Sequence, residues 1–480
     1  MLVFISAAPM AALAADPSHP SPGETWPGLM FHAAPRPLPG GAVTSDWPRL
    51  LGDRHVPISA ETKLRSDFPA EGPPLVWEAA KGTGYAGPAI VGDRLVLFHR
   101  VDDRETIDCL HAETGRRFWS HSYPIEYRDR FGYSDGPRAS PVIADGRVFT
   151  FGVTSVLSCL DLQSGTLHWR RECGKEDGVP QFFFGSGATP LVQGDFLVCD
   201  LGGSGGKDVV GFDVATGAVK WFAKTGWSQS YSSPIPAVLH GQSRVLFFQG
   251  GEGDESMDSQ GGLVSIDPAN GTVHGKFFWR ARRHTSVNAA APVLCSPHRV
   301  LVTQAYIDPD SSSNGAALVE VLEDGSFHLA WKNEDLACHW MTPVFHDGHL
   351  YAFSGEKERA AELVCHRADT GQRLWQTKLS HDITLPPSQG GRPLTIGFMR
   401  GSLLHADGRF LALGEWGTLA WLTLSPQGAQ KHATAQLFAA PGGAWTLPAL
   451  SRGLLYVCQN EKDELTGASR RLLCYDFRGQ

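Results

Sequence analysis

The sequence predicts an all-β protein in which eight four-stranded antiparallel sheets close into a ring. Three observations predict it. The 480-residue chain is full of turn formers, with 54 Gly and 32 Pro, yet 42% of it is hydrophobic. One short unit recurs along its whole second part. The strand missing from the last copy of that unit turns up far upstream, before the first.

In chain order, Met1 to Ala15 reads MLVFISAAPMAALAA, an apolar stretch ending in small residues, with Ala12-Leu13-Ala14 as a cleavage signal. It reads as a signal peptide whose basic leading region is missing, and so places the mature chain in the periplasm or outside the cell. Residues 16–72 are rich in proline and lack strand patterning. They read as an N-terminal arm laid over the rest, partly disordered at its start.

Residues 73–480 carry the repeat. Its core is an Asp or His, a Gly four residues on, and a Trp four residues after that. The copies are His111-Gly115-Trp119, Asp161-Gly165-Trp169 and Asp213-Gly217-Trp221, with Arg367-Gly371-Trp375 keeping the spacing. One further copy, Asp267-Gly271, slips its aromatic to Trp279, and another is stretched to Gly325-Trp331. The copy around Gly428 has lost its Trp. A small residue and a proline open each unit, at Pro88, Pro141, Pro190, Pro234, Pro292, Pro343 and Pro448, with Leu403 in the proline's place once.

This grammar fits four strands per unit. Proline is tolerated where a strand begins and its absent N–H costs no ladder bond. Asp-Gly, Asp-Arg or Gly-Asp pairs further on make tight hairpins. The Gly before each Trp supplies positive φ in the next hairpin. Each Trp then lies on an outer strand, filling the wedge between neighbouring sheets. The last unit ends at Gln480 with three strands, and Pro74-Leu75-Val76-Trp77-Glu78 supplies the fourth. The units stack around an axis as an eight-bladed β-propeller, closed by an N-terminal strand that completes the C-terminal blade.

Composition excludes other classes. The net charge of -8, with no basic stripe, argues against nucleic acid. No apolar run after the N-terminus is long enough to span a membrane. The nine cysteines include no CxxC. Cys109, Cys159, Cys365 and Cys474 share one repeat position that Gly211 and Ser265 also occupy, so cysteine acts there as a small buried hydrophobe. There is no HExxH and no GxSxG. The acidic stretch at 250–262 lacks the order of a calcium loop and reads as a hairpin tip, and GGSGGKD at 202–208 as a flexible turn.

The eightfold D-x-x-T-G-x-x-x-W pattern resembles the pyrroloquinoline-quinone (PQQ) repeat propellers. That family includes the quinoprotein alcohol dehydrogenases and the lipoprotein propeller of the outer-membrane protein assembly machine. The Trp47-Pro48-Arg49-Leu50-Leu51-Gly52 segment resembles the secreted PQQ-like propellers that begin with WPxxxG. The resemblance implies the fold. It implies PQQ with calcium only for members with an adjacent Cys-Cys pair and a Glu, Asn and Asp set, and this chain has no Cys-Cys. No cofactor and no metal is therefore expected. The expected role is a non-catalytic scaffold for a small molecule, glycan or protein, with a diverged PQQ-dependent oxidoreductase as the alternative.

In such a ring the loops entering the innermost strands line the mouth of the central channel. The residue three before each opening proline is Tyr85, Arg138, Gly187, Tyr231, Ala289, Trp340, Arg400 or Trp445. Aromatic and Arg side chains dominate recognition surfaces. The candidate ligand-binding set is therefore Tyr85, Asp135, Arg138, Tyr231, Asn288, His339, Trp340, Arg400 and Trp445. The plainer alternative is that these side chains merely plug the channel.

Overall fold

A computed structural model describes residues 23–251, 260–283, 285–308, 312–356 and 361–479. The signal-peptide reading and the start of the arm fall outside these residues, as does most of the acidic stretch at 250–262. Eight antiparallel sheets form the ring. The first blade runs Ala89–Val91, Arg94–Val101, Arg104–His111 and Arg117–Pro124, from the axis outward. The next six repeat that order. The eighth is built from Ala449–Ser451, Leu454–Gln459 and Arg471–Asp476, and Leu75–Ala80 pairs antiparallel with the last of these. The N-terminal strand thus closes the ring, with Trp77 opposite Cys474 and fully buried.

The repeat residues act between blades. Trp119 donates its indole N–H to the Leu162 carbonyl of the next blade at 3.0 Å, and Trp169 to Val214 at 3.1 Å. Trp77, Trp331 and Trp375 do the same toward Ala112, Ala368 and Ser425. The rings of Trp77, Trp119, Trp169 and Trp331 each lie on the turn glycine of that next blade, whereas Gly428, beyond Trp375, has no neighbour there. A Cβ on Gly165 (φ 71°) would stand 2.5 Å from Trp119. Glycine is thus required both for its backbone conformation and for the approach of the neighbouring ring. The Cys or Gly position faces the Trp across the strand pair, as in Cys159 with Trp169 and Gly211 with Trp221, while Ser265 faces Gly275 in the blade whose Trp has slipped.

The seventh blade keeps this pair and exchanges its members. Trp421 occupies the third-strand position that is Cys, Gly, Ser or Leu in the other blades, fully buried, and faces Ala433 on the outer strand. The copy has moved its Trp rather than lost it, and the pair's volume is conserved.

Two strand additions have no counterpart in the repeat. Leu29–Phe31 adds a fifth strand outside Leu75–Ala80, and Glu24 exchanges backbone hydrogen bonds with Arg117 of the first blade. A hairpin of Ser380–Thr384 and Pro393–Gly397 leaves the sixth blade and reaches the eighth, where Gln389 donates to the Glu464 carbonyl at 2.6 Å.

The arm crosses one end of the channel. Trp47 and Ile90 exchange backbone hydrogen bonds, Ile143 donates to Pro48, and His405 donates to Pro57. These partners sit on innermost strands of the first, second and seventh blades. Buried Glu61 then accepts the backbone N–H groups of Ser45 at 3.0 Å, Gly453 at 2.7 Å and Arg452. The arm is thereby stitched across the ring, and its Leu50, Leu51 and Pro57 face the axis.

Candidate functional site

A cavity of about 330 Å³ lies on the ring axis. Its floor is the arm, through Leu50, Leu51 and Pro57. Its walls include every residue that stands three places before a strand opening, from Tyr85 to Trp445. The repeat explains why. Each innermost strand starts at the same height on the axis, so residues at one offset from its opening form one ring. Tyr133, Phe184, Tyr306 and His339 add further rings at the same level.

Seven of the nine candidate residues line this cavity: Tyr85, Arg138, Tyr231, His339, Trp340, Arg400 and Trp445. Asp135 and Asn288 do not. Asp135 folds back on its own loop, accepting from the Asp129 backbone N–H at 2.7 Å and from Arg128 at 3.2 Å. Asn288 is buried in the seam of the fourth and fifth blades, where its amide donates to the Gln249 carbonyl at 2.8 Å. Asp135 and Asn288 turn into the scaffold, where buried loop backbone must be paired.

The aromatic rings pack at tilted and edge-to-face angles. Trp445 stands 5.3 Å from Tyr85, 5.4 Å from Tyr133 and 5.2 Å from Trp340, between ring centroids. Phe184 stands 5.6 Å from Tyr231. Each arginine is matched by a buried carboxylate. Arg138 bonds Asp129 at 2.7 Å, and its guanidinium lies near the faces of Tyr85 and Phe184. Arg400 bonds Glu415 at 2.6 Å and lies 4.3 Å over Trp340. Glu415 also accepts the Trp445 indole N–H at 2.5 Å. Asp129 and Glu415 escape sequence reading because they sit at no fixed place in the repeat.

His339, Tyr85 and Tyr306 are held in their neutral forms near pH 7. Burial, helped by the Arg400 charge, pushes His339 down to about 3. Burial also pushes Tyr306 up to about 12 and raises Tyr85 beyond its ordinary value. Two buried nitrogens are left without a protein partner, the Trp340 indole N–H and His339 Nδ1.

A family model described as outer membrane protein assembly factor BamB matches residues 103–306, from the first blade into the fifth. The outer membrane protein assembly factor BamB of Xanthomonas campestris pv. campestris is 33% identical over 91 residues. That match spans 18% of this chain and only 21% of the relative's length. Among solved structures, BamB from Moraxella catarrhalis is similar with a TM-score of 0.51 and 14% identity, over 82% of this chain and 95% of that one. The quinohemoprotein alcohol dehydrogenase of Comamonas testosteroni gives 0.59 and 11%, over 91% and 81%. A europium-containing methanol dehydrogenase gives 0.58 and 11%, over 90% and 98%. These structural likenesses are likenesses of fold.

Proposed function

We propose, from the premise that this chain is a PQQ-like repeat β-propeller, that it is a non-catalytic binding protein whose ligand seats in the blind axial cavity. The observation that carries the reading is the cavity itself: closed at one end by the arm, walled by aromatic rings from many blades, with its charges matched internally. Sites of this volume with apolar walls and few polar groups are typical of small-ligand binding. One feature supports a role without catalysis. A general acid or base works best with a pKa near the operating pH, and His339, Tyr85 and Tyr306 lie far from it.

The residues do not fit calcium-bound PQQ. Among the described residues no cluster of three or more His, Cys, Asp or Glu is arranged to hold a metal ion. The cavity's two carboxylates are bound to arginines. All nine cysteines are buried and free, with none adjacent to another. The likeness to BamB, together with exposed Phe131 and Tyr133 beside the mouth, favours a second reading in which a protein partner docks on the rim. Either reading suits a periplasmic or extracellular site. No helix among the described residues is long and apolar enough to cross a membrane.

The test is a thermal-shift screen of fused-ring compounds, oligosaccharides and peptides on the wild type and on Ala289→Trp, which fills the cavity from its wall. A binder should raise the wild-type melting temperature by several degrees, by mass action, and leave the variant unmoved. Shifts of equal size in both proteins, or none with any compound, would remove the cavity reading.

A further inference from the structure

We propose that residues 53–59 of the arm are an acid-released latch: protonation of the imidazoles at its contact with the ring lifts the segment and takes Pro57 out of the cavity floor. The latch is independent of what the cavity binds.

The contact is small and local. Ser59 donates its backbone N–H to the His405 carbonyl at 2.8 Å, and His405 donates its own to the Pro57 carbonyl at 2.9 Å. Ile58, between them, packs against the apolar cluster of the sixth and seventh blades. Firmer anchors stand on either side. Trp47 and Ile90 exchange backbone hydrogen bonds before the segment, and buried Glu61 accepts three backbone N–H groups after it. The segment can therefore swing as a short loop while the rest of the arm stays in place. Its turn also stores strain: His55 holds φ at 57°, in the left-handed region that non-glycine residues seldom adopt.

The groups at this contact suit closure only when they are uncharged. His405, on the innermost strand of the seventh blade, is buried, and neither ring nitrogen has a partner. Its ring lies instead against His346 of the sixth blade and Phe410, at 4.1 Å and 4.8 Å between centroids. On the arm, the Arg49 guanidinium bonds His55 Nε2. A guanidinium only donates, so that nitrogen must accept and carries no proton. Arg49 faces His55, and Arg54, His346 and Asp347 face His405. Asp53 lies by Arg49 and Arg54. Asp347 stands 3.4 Å from His346 and is almost fully exposed, so water screens its charge.

Burial, with His346 alongside, pushes His405 down to about 4, and burial beside Arg49 pushes His55 down to about 3. Released into water, each returns toward 6.5. The open segment thus binds protons that the closed one refuses, and opening is favoured as pH falls below 6.5. At pH 5 each imidazole shifts the balance about thirtyfold toward the open form.

Hydrogen exchange of the Ser59 and His405 amides at pH 7.5 and pH 5, corrected for intrinsic rates, reads the opening. Their protection should fall about thirtyfold or more at pH 5, while the amides of Phe196–Asp200 in the third blade keep theirs. His405→Phe keeps a ring in place, and His55→Asn suits the left-handed turn; each removes one titrating group. Each single variant should shrink the pH effect, and the double variant should show none. If the double variant does not fold, His55→Asn decides alone, since its effect must be smaller than that of wild type. Equal protection of the wild type at both pH values would overturn the latch. A parallel loss in Phe196–Asp200 would overturn it too, because the whole ring would then be opening in acid. An effect of wild-type size in the variants would show that other groups respond, and would end the assignment to these imidazoles.

Discussion

At the scale of the residue, the inter-blade tryptophans decide stability. Trp169 fills the seam under the second blade and bonds the third. Trp169→Ala should cost roughly 3–5 kcal/mol, the cost of emptying a buried aromatic site, when measured by denaturant unfolding. A loss below about 1 kcal/mol would mean the wedge is not packed. The seventh blade supplies a sharper version. Trp421→Ala alone should destabilise as much, and Ala433→Trp alone should overpack. The double variant restores the arrangement of the other blades and should recover most of the loss, a coupling that a double-mutant cycle reads directly. The sequence could show that blade's missing outer Trp but not its relocation, because a single pattern scan does not pair positions across strands. The lining ring, by contrast, was legible at single-residue level, since one offset from the strand opening recurs in every blade. Asp129 and Glu415, which neutralise it, were not legible. They come from irregular loops where no periodicity constrains the reading.

At the scale of the element, two segments hold the ring shut from outside. Leu75–Ala80 completes the eighth blade, and Glu24 to Phe31 ties that blade's edge to the first. Removing residues 1–32 should lower the melting temperature modestly, because it takes only a three-residue strand and a few surface bonds. Removing residues 1–80 opens the ring, strips the cavity floor and exposes a sheet edge, so the chain should aggregate. Equal melting temperatures by calorimetry would refute closure by this strand. Leu75–Ala80 was readable because it carries the repeat's Trp. Leu29–Phe31 was not, since three apolar residues among prolines give no alternation to read. The hairpin around residues 380–397 escaped for a related reason: its strands are largely exposed, so no buried face marks them.

At the scale of the whole molecule, buried charges set the pH response. Burial pushes Glu105 and Asp200, both in seams between blades, up to about 7. Their folded pKa lies above the unfolded one, so the folded state binds these protons more tightly. Their contribution is full at low pH and is lost as pH rises toward 7. His55 and His339 run the other way: held near 3 when folded, they cost stability as pH drops below about 6.5, where the unfolded chain protonates. Relative to Glu105→Gln, which mimics the protonated acid, wild type should lose on the order of 1 kcal/mol per pH unit between about pH 5 and 7. Melting curves of both proteins across that range check it, and parallel profiles would show that Glu105 does not titrate as its burial implies. The ring closure has a further consequence in time. Ribosomes extend a chain at about 5–20 residues per second, and Leu75–Ala80 pairs with a strand some 390 residues later. This early-made strand therefore waits roughly 20–80 s for its partner to emerge. Throughout that interval an apolar edge bearing Trp77 stays open to any nascent neighbour. For this chain the hazardous moment of biogenesis is the delay before its two ends meet.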